Sequence, residues 1–412
     1  MTRFSRRLAS AAICLALATL TSSCTKPVGS DAEDLIKAGK YKEAIELCKR
    51  ELEEHPKDSF LYASKAYAEY SLKQFEQARD DYLRAIELDK TVPWYHVELG
   101  TTYSRLDEND KALAAYDAAL ALDNQGSRAA LTRAYKAYIY LSEYNHKRAL
   151  AESDAAISID PKLAQAYVAR AAARTELMDF DNALKDADKA IELDSKSERA
   201  YVARSSAYYR KYEFEKAAEA ARKALEIKPG DFMATEFLAA SYEGLGDTDK
   251  ALELMDKLME KYPDNSQLTA GKAYVLLTAA RIEEAREYAD RAIAMKNIDP
   301  SALMVAGTLA AMKGDRERAM DLLDKCEKRI PEAADVERSR AIALIALKDY
   351  EGAIKAADAA LVKMPGTASA YRIKSEAERR LGLDSEAERD LKKALDLHYR
   401  RPSQLDSLFK LL

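Results

Sequence analysis

Apolar residues along most of this chain recur every three or four positions, the spacing that gathers them on one side of an α-helix. Ala217, Ala221 and Ala224 form a representative stretch. Hydrophobic residues make up 48% of the 412 positions, with only 13 Gly and 10 Pro. The pattern therefore predicts an ordered, densely helical protein rather than a disordered or an all-β one.

A period of 34 residues runs through the helical pattern, with one step of 37. The alanines that mark it are Ala44, Ala78, Ala112, Ala149, Ala183, Ala217, Ala251, Ala285, Ala319, Ala353 and Ala387. A small residue also stands twelve positions before each marker, and seven positions after it in most units. These positions predict helix crossings, because only a small side chain lets two helix axes approach closely. A chain of this length is too long for one ordinary hydrophobic core, and the period predicts that it forms an open array of repeats instead.

Each unit contains the helix-ending and turn residues expected of a helix, a turn and a second helix. Pro follows twelve residues after the marker in six units, where it ends the second helix, as at Pro56 and Pro161. A short polar turn precedes the marker, often followed by an aromatic such as Phe75. This pattern resembles the tetratricopeptide repeat family. The resemblance implies an all-α, right-handed superhelical solenoid of about eleven hairpins over residues 31–399, closed by a C-terminal capping helix over residues 400–412.

Two details of the array concern its irregular parts. In the capping segment PSQLDSLFKLL we expect Leu405, Leu408 and Leu412 to face inward and Lys410 outward. The step of 37 places three extra residues between Leu122 and Ala149. They lie either at residues 125–127 or around residues 144–146, and the sequence leaves both positions open.

The first 23 residues have the features of an export signal. Arg3, Arg6 and Arg7 precede a 13-residue apolar run that is too short to span a bilayer as a mature helix. The run ends at Thr21-Ser22-Ser23-Cys24, which resembles a bacterial lipobox and implies a palmitate-bearing lipid on Cys24. Residues 24–30 would then be the anchor and a short tether, with Thr25 favouring the outer membrane. The alternative is an ordinary signal peptide cut near Ala18, giving a secreted or soluble periplasmic protein.

Charge and cysteine usage exclude several classes of function. The formal net charge of −5 becomes −8 when Arg3, Arg6 and Arg7 are removed, and charges of both signs alternate along the helices, so we expect no nucleic-acid partner. Cys48 and Cys326 are separated by 278 residues, too far apart in a solenoid for a disulfide, and are expected to be small buried residues.

Catalytic signatures are absent from the sequence. It contains no phosphate-binding glycine loop, dinucleotide fingerprint, HExxH, nucleophile elbow or CxxC. The four histidines are scattered over different units and lack metal-ligand spacing. We therefore expect no catalytic, cofactor-binding or metal-binding residues and no enzyme activity.

The remaining candidate site is the groove that the first helices line in proteins of this family. The residues at its partner-binding positions are, by phase, Phe60, Tyr67, Tyr70, Trp94, Tyr138 and Tyr209, with charged residues more frequent toward the C-terminus. Aromatic side chains bury large areas at small entropic cost, so these residues are candidate anchors for a partner protein. The alternative is that the rings pack between adjacent helices. Val97 and Thr101 replace the Lys and Asn expected in the carboxylate-clamp subtype.

These observations predict a non-enzymatic adaptor or assembly factor at the bacterial cell envelope. Its partners would be other proteins of an envelope complex, with the membrane reached through Cys24 and the repeats facing the periplasm. The alternative is a periplasmic module that binds peptides or glycans, since aromatic rings also stack on sugars.

Overall fold

The computed structural model describes residues 30–397 and 404–412, and within these ranges it contains 23 helices and no strand. The first eleven helices are α1 Ser30–Lys37, α2 Tyr41–Glu54, α3 Ser59–Ser71, α4 Phe75–Leu88, α5 Pro93–Arg105, α6 Asn109–Leu122, α7 Gly126–Ser142, α8 His146–Ile159, α9 Ala164–Glu176, α10 Phe180–Leu193 and α11 Glu198–Arg210. The others are α12 Phe214–Ile227, α13 Phe232–Gly244, α14 Thr248–Lys261, α15 Ser266–Thr278, α16 Ile282–Ile293, α17 Pro300–Met312, α18 Arg316–Arg329, α19 Ala334–Ala346, α20 Tyr350–Lys363, α21 Ala368–Arg380, α22 Asp384–Asp396 and α23 Gln404–Leu411.

Helices α1 to α22 follow one another as eleven hairpins, each with a first and a second helix, so the fold class is an all-α repeat solenoid as predicted. The expected signal segment, Cys24 and its tether up to residue 29 lie outside the described residues. First helices α3 to α21 contain 13 residues except α7, which contains 17. The three extra residues of the 37-residue step therefore lie at the start of α7, and residues 143–145 form a turn of the usual length.

The turn inside each hairpin has one residue in the left-handed region of backbone space. These residues are Gly39, Lys73, Asp107, Tyr144, Met178, Tyr212, Gly246, Ala280, Gly314, Lys348 and Gly382. In the α3–α4 turn, the Lys73 N–H donates to the Tyr70 carbonyl and the Gln74 N–H to the Glu69 carbonyl, both at 2.9 Å. This is the Schellman pattern, which satisfies carbonyls that a helix end leaves open. Seven of the eleven turns accept the left-handed conformation without glycine.

The small residues of the 34-residue period lie where the two helices of a hairpin meet. All eleven marker alanines are at most 1% exposed. Twelve residues before two of them, Ser205 and Ser375 donate their hydroxyls to the carbonyls of Ala217 and Ala387 at 2.8 and 2.7 Å. A Cβ added to Gly100 would lie 2.6 Å from the Tyr116 ring, so the crossing has no room for a larger side chain.

Side chains of the preceding linkers begin several first helices. The Asp58 carboxylate accepts hydrogen bonds from the backbone N–H groups of Phe60 and Leu61, and Asn265 accepts one from Leu268. These caps satisfy donors that the first turn of a helix cannot pair internally. Pro93 and Pro300 stand at the first helical position, where a missing N–H costs nothing.

The described residues form two compact units, one of residues 30–139 with 154–163, and the other of residues 140–153 with 164–397 and 404–412. In the second unit, consecutive first helices contact one another from α9 to α13 and from α15 to α21, and two side-chain hydrogen bonds join α13 to α15. The first-helix layer therefore lies on the inner side of a curve. The curve turns back on itself, since Tyr212 packs against the buried pair Ala368 and Ala394 of the last hairpin. We call the solvent-facing side of the first helices the inner surface.

Candidate functional site

Phe60 and Trp94 form an aromatic pair at corresponding places in two successive hairpins of the first unit. Each is the second residue of its first helix, and their ring centroids lie 6.5 Å apart, edge to face. Trp94 also contacts Tyr95 at 4.6 Å, and the Tyr95 hydroxyl lies 3.1 Å from that of Ser59. Both Phe60 and Trp94 are only half-buried. The helix starts therefore hold two aromatic surfaces in a fixed geometry that leaves part of each ring accessible.

Tyr67 and Tyr70 follow Phe60 on α3 but have different surroundings. Tyr67 is 5% exposed and belongs to the core of the first unit, so it offers a partner almost no surface. Tyr70 is half-buried, with its ring 5.4 Å from that of Phe75, and burial raises its pKa to about 12. Of the predicted groove residues on α3, Phe60 is the most suitable anchor. Tyr138, on α7, is half-buried.

Tyr209 lies on the inner surface of the second unit and packs against two phenylalanines. Its ring centroid is 5.6 Å from that of Phe214 and 6.3 Å from that of Phe237. The sequence therefore identified a half-buried aromatic, but Tyr209 belongs to the second unit, whereas Phe60 and Trp94 belong to the first. The structure thus does not combine the six predicted aromatic positions into one cluster within either unit.

Charged residues from separate hairpins approach one another inside the second unit. Arg210 donates hydrogen bonds to both carboxylate oxygens of Glu176 at 3.0 Å, and Arg338 pairs with Asp335 at 2.8 Å. Glu176 and also Asp335 raise the pKa of Arg210, while Arg338, then Arg210, lower the pKa of Asp335. The α9, α11 and α19 helices thus present a mutually compensating charge cluster rather than a field of one sign.

Two carboxyl groups on α13 lie on the inner surface, where Glu243 is 8% exposed and Glu236 is half-buried. Glu236 accepts a hydrogen bond from Gln267 at 2.8 Å, and Glu243 accepts one from the Thr278 hydroxyl at 2.9 Å. Burial raises the pKa of Glu236 to about 7 and that of Glu243 to about 8, against the opposing effect of these hydrogen bonds. Both groups therefore hold protons far more tightly than an exposed glutamate does.

The C-terminal helix α23 packs on the inner surface, against α15 and α21. Leu408 is 1% and Phe409 5% exposed, whereas Lys410 is exposed as the sequence predicted and Leu412 is half-buried. The side chain of Leu405 lies outside the description. Residues 400–412 were expected to cover the last hairpin, and α23 does contact its first helix, but the contact with α15 lies three hairpins earlier. Sequence reasoning also missed Phe409 as a buried residue.

Arg372 of α21 forms an ion pair with Asp406 of α23. Two of its nitrogens lie 2.6 and 2.8 Å from Asp406, and its guanidinium carbon lies 4.7 Å from the centre of the Phe409 ring. Arg380 donates to the Phe409 carbonyl at 2.9 Å, one of the carbonyls that the end of α23 leaves open. This inner surface can therefore recognise a helix through its charge, its aromatic ring and its C-terminal end.

The two described cysteines have no chemical role that the geometry supports. Cys48 and Cys326 are both 0% exposed, and burial raises the pKa of each thiol to about 12. Across residues 30–397 and 404–412, no group of three or more His, Cys, Asp or Glu side chains has the arrangement of a metal site. None of the helices in these ranges is long and apolar enough to cross a membrane.

The chain belongs to the tetratricopeptide repeat family. A family model described as TPR repeat matches residues 66–107, and models described as tetratricopeptide repeat match residues 95–125, 168–232, 243–306 and 338–402. Together these matches cover more than half of the chain. Proteins of this family generally act as scaffolds for protein–protein interactions.

Solved structures similar to this chain share low sequence identity with it. A tetratricopeptide repeat protein from Parabacteroides merdae is 16% identical, covering 61% of this chain and 98% of its own, with a TM-score of 0.49. Yeast Tom70 is 14% identical, covering 88% and 95%, with a TM-score of 0.47. The Cut9–Hcn1 hetero-tetramer of the APC/C is 16% identical, covering 92% and 82%, with a TM-score of 0.49. No curated protein sequence matches the chain.

Proposed function

We propose that this protein is a non-enzymatic adaptor or assembly factor of a bacterial cell-envelope complex that binds segments of partner proteins on its inner surface. The observation that carries the proposal is the edge-to-face pair of Phe60 and Trp94, which are half-buried at matching places in successive hairpins. Pre-oriented rings can contact an apolar partner side chain without first losing rotamer freedom. Such rigid aromatic anchors commonly contribute most of the energy of an interface.

The envelope location rests on the N-terminal sequence. Arg3, Arg6 and Arg7, the short apolar run and Cys24 together have the order of an export signal followed by a lipid-attachment site. A lipid on Cys24 and a tether ending at residue 30 would keep the hairpins close to the membrane, since six extended residues reach only about 20 Å. Thr25 after the cysteine favours the outer membrane, with the repeats in the periplasm.

The absence of enzymatic activity is part of the proposal. The perturbed carboxyl groups Glu236 and Glu243 already have hydrogen-bond partners in neighbouring helices. The Arg210 and Glu176 pair is likewise satisfied across two hairpins. Such groups can be explained by burial and packing alone, without assigning them acid–base work.

A periplasmic module for peptides or glycans is the second candidate. The accessible rings of Phe60 and Trp94 favour it equally, because an aromatic face can stack on a sugar as well as on a side chain. The two candidates differ in the ligand. A module for small ligands should gain several degrees in melting temperature with excess glycan or peptide, whereas an adaptor should not respond to small glycans.

The test combines location with partner capture. Wild-type protein and a Cys24→Ser variant are expressed in the native cell, crosslinked and purified from membranes and from the soluble periplasm. The adaptor proposal predicts a stable protein partner with the membrane-bound wild type and release of the Cys24→Ser chain from the membrane. Recovery of wild type without any stoichiometric partner would contradict the adaptor role, and unchanged membrane attachment of Cys24→Ser would contradict the lipid anchor.

A further inference from the structure

We infer that the inner surface of hairpins eight to eleven is a binding site for an amphipathic partner helix, and that the chain's own α23 occupies this site as a displaceable internal ligand. The inference rests on the proposed scaffold function and specifies the kind of partner. We call this surface, built by α15, α17, α19 and α21, the C-terminal groove. The partner is a helix with a carboxylate at one position and apolar side chains two, three and six positions later, as in Asp406, Leu408, Phe409 and Leu412 of this chain.

The apolar contacts of α23 define the hydrophobic part of the recognition pattern. Leu408 joins the buried cluster that contains Ala273 of α15 and Leu303 of α17. Phe409 joins the cluster that contains Ile345 of α19. Lys410 and Leu411 are exposed on the other side of α23. Only one side of this two-turn helix is therefore used, as in other complexes where an amphipathic helix lies in a groove.

The C-terminal groove carries excess positive charge, part of which the Asp406 carboxylate of the occupant neutralises. Arg372, Arg379 and Arg380 all lie within 3.3 Å of the single carboxylate of Glu376, which leaves two positive charges uncompensated on α21. Burial opposes ionisation of Glu376, but Arg380 and Arg372 outweigh it and lower its pKa, so the carboxylate stays charged. Arg372 is 7% exposed, and an arginine this deeply buried requires charged partners. Asp406 provides the second one.

The end of the bound helix is recognised as well. Arg380 donates to the Phe409 carbonyl, close to the last residue of α23 at Leu411. A cation at this place interacts favourably with the negative end of the helix dipole. The C-terminal groove is therefore suited to a partner helix that terminates there.

A short connection between α22 and α23 tethers α23 to the groove that it occupies. Only residues 398–403 join Leu397 to Gln404, so α23 is held near the C-terminal groove at an effective concentration of the order of millimolar. If α23 binds the groove with an intrinsic dissociation constant of about 10 to 100 μM, a free helix would bind the wild-type chain about 10- to 100-fold more weakly than a chain with a vacated groove.

The test uses the full chain and a labelled peptide that copies residues 402–412. Fluorescence anisotropy measures its binding to wild type and to a Leu408→Asp, Phe409→Asp variant, in which burial of two charges should expel α23. We expect the variant to bind the peptide at least about tenfold more tightly than wild type. A peptide with the Asp406→Asn change should lose about tenfold, since it lacks the charge that Arg372 contacts. A Lys410→Asp chain, altered on the exposed side, is the matched control and should behave as wild type.

Equal binding of the peptide to wild type and to the folded variant, checked by circular dichroism, would overturn the inference. A second measurement needs no variant. Excess isotope-labelled peptide added to wild type should accelerate amide hydrogen exchange in residues 404–411, and unchanged exchange at saturating peptide would also overturn it. Because both assays use the chain's own segment, they remain informative if no envelope partner is found with Phe60 and Trp94.

Discussion

The side-chain nitrogen of Lys136 lies 2.7 Å from a carboxylate oxygen of Asp117, which belongs to the second helix of the preceding hairpin. Lys136 is 7% exposed, whereas the Asp117 side chain remains 62% exposed. The lysine stem thus fills space between two hairpins while its charge reaches a partner at the surface. The same relationship recurs along the array in the pairs Arg204 and Asp188, Lys272 and Asp256, Arg340 and Asp324, and Lys374 and Asp358.

These ion pairs connect hairpins that otherwise meet through small side chains. We expect Asp117→Ala to lower the free energy of unfolding by about 0.5 to 2 kcal/mol, because a largely buried lysine loses a charged partner. In a double-mutant cycle with Lys136→Met, the coupling energy should be about 1 kcal/mol. Urea unfolding measures both values. The exposed pair of Glu253 and Lys257 is the control, and Glu253→Ala should cause no measurable change.

The left-handed turn residues allow a test of backbone strain. Ala280 has φ of 62° and is exposed, so Ala280→Gly should raise the free energy of unfolding by about 0.5 to 1 kcal/mol by relieving the clash of its Cβ. Gly314 has φ of 85° at the matching place in the next hairpin, and Gly314→Ala should lower the free energy by about 1 kcal/mol. Thermal or urea unfolding measures the free energy of unfolding of both variants. A destabilised Ala280→Gly chain would show that the turn is not strained.

Gly100 tests the close approach of helices at a hairpin crossing. A Cβ at Gly100 would meet the Tyr116 ring at 2.6 Å and the Ala112 carbonyl at 3.1 Å. Gly100→Ala should therefore lower the free energy of unfolding by about 1 to 3 kcal/mol, despite the better helix propensity of alanine. Gly271 is the matched control, since a Cβ there meets only the flexible end of Met255 at 3.2 Å. If both substitutions had equal effects, the crossing would not be sterically limiting.

The buried carboxyl of Glu243 predicts how stability depends on pH. Its pKa of about 8 exceeds that of an unfolded glutamate, so between about pH 5 and 8 the folded chain binds more protons than the unfolded chain. Stability from this group is present at low pH and is lost as pH rises toward 8. Glu243→Gln removes the effect, so the variant should gain about 1 to 3 kcal/mol relative to wild type between pH 5 and 8.

Urea unfolding at several pH values measures this difference, and the contributions of all other titrating groups cancel in it. Glu253→Gln, on the exposed side of α14, serves as the control. Because Lys257 lowers the pKa of Glu253, this group stays ionised from pH 5 to 8, and the difference from wild type should be constant over that range. A pH-independent difference for Glu243→Gln as well would mean that Glu243 titrates normally.

The hairpins could be predicted from sequence because their geometry imposes a strict demand on residue size. Positions such as Ala217 and Ser205 are in contact with a neighbouring helix, which requires a small side chain. The 34-residue period is therefore visible in the sequence as a recurrence of small residues. The left-handed turns were harder to predict, because a Lys or Met residue such as Lys73 or Met178 does not by itself indicate a positive φ. Only their equivalence in the repeat to Gly39 and Gly246 indicates the left-handed conformation. Local structure can thus be predicted from sequence at positions where only one type of residue fits.

The site was less predictable because it depends on how hairpins stack. Register placed Tyr67 among the groove candidates, yet neighbouring helices leave it 5% exposed. The pattern of Leu408 and Leu412 predicted an amphipathic α23, but Leu408 contributes to a core cluster shared with helices three hairpins earlier in the chain. Such long-range choices depend on the curvature of the second unit, which no local pattern encodes.

The most direct test of the account is a crosslinked pull-down from native membranes that compares wild type with a Phe60→Ala, Trp94→Ala variant. Tyr67 is left intact, because its removal would open a cavity in the core. A Tyr262→Ala chain, which removes a half-buried aromatic from the linker before α15, controls for general loss of stability. Binding through Phe60 and Trp94 predicts a partner that wild type and the control capture and that the folded double variant loses. Equal capture by all three chains would contradict binding through the inner aromatic pair.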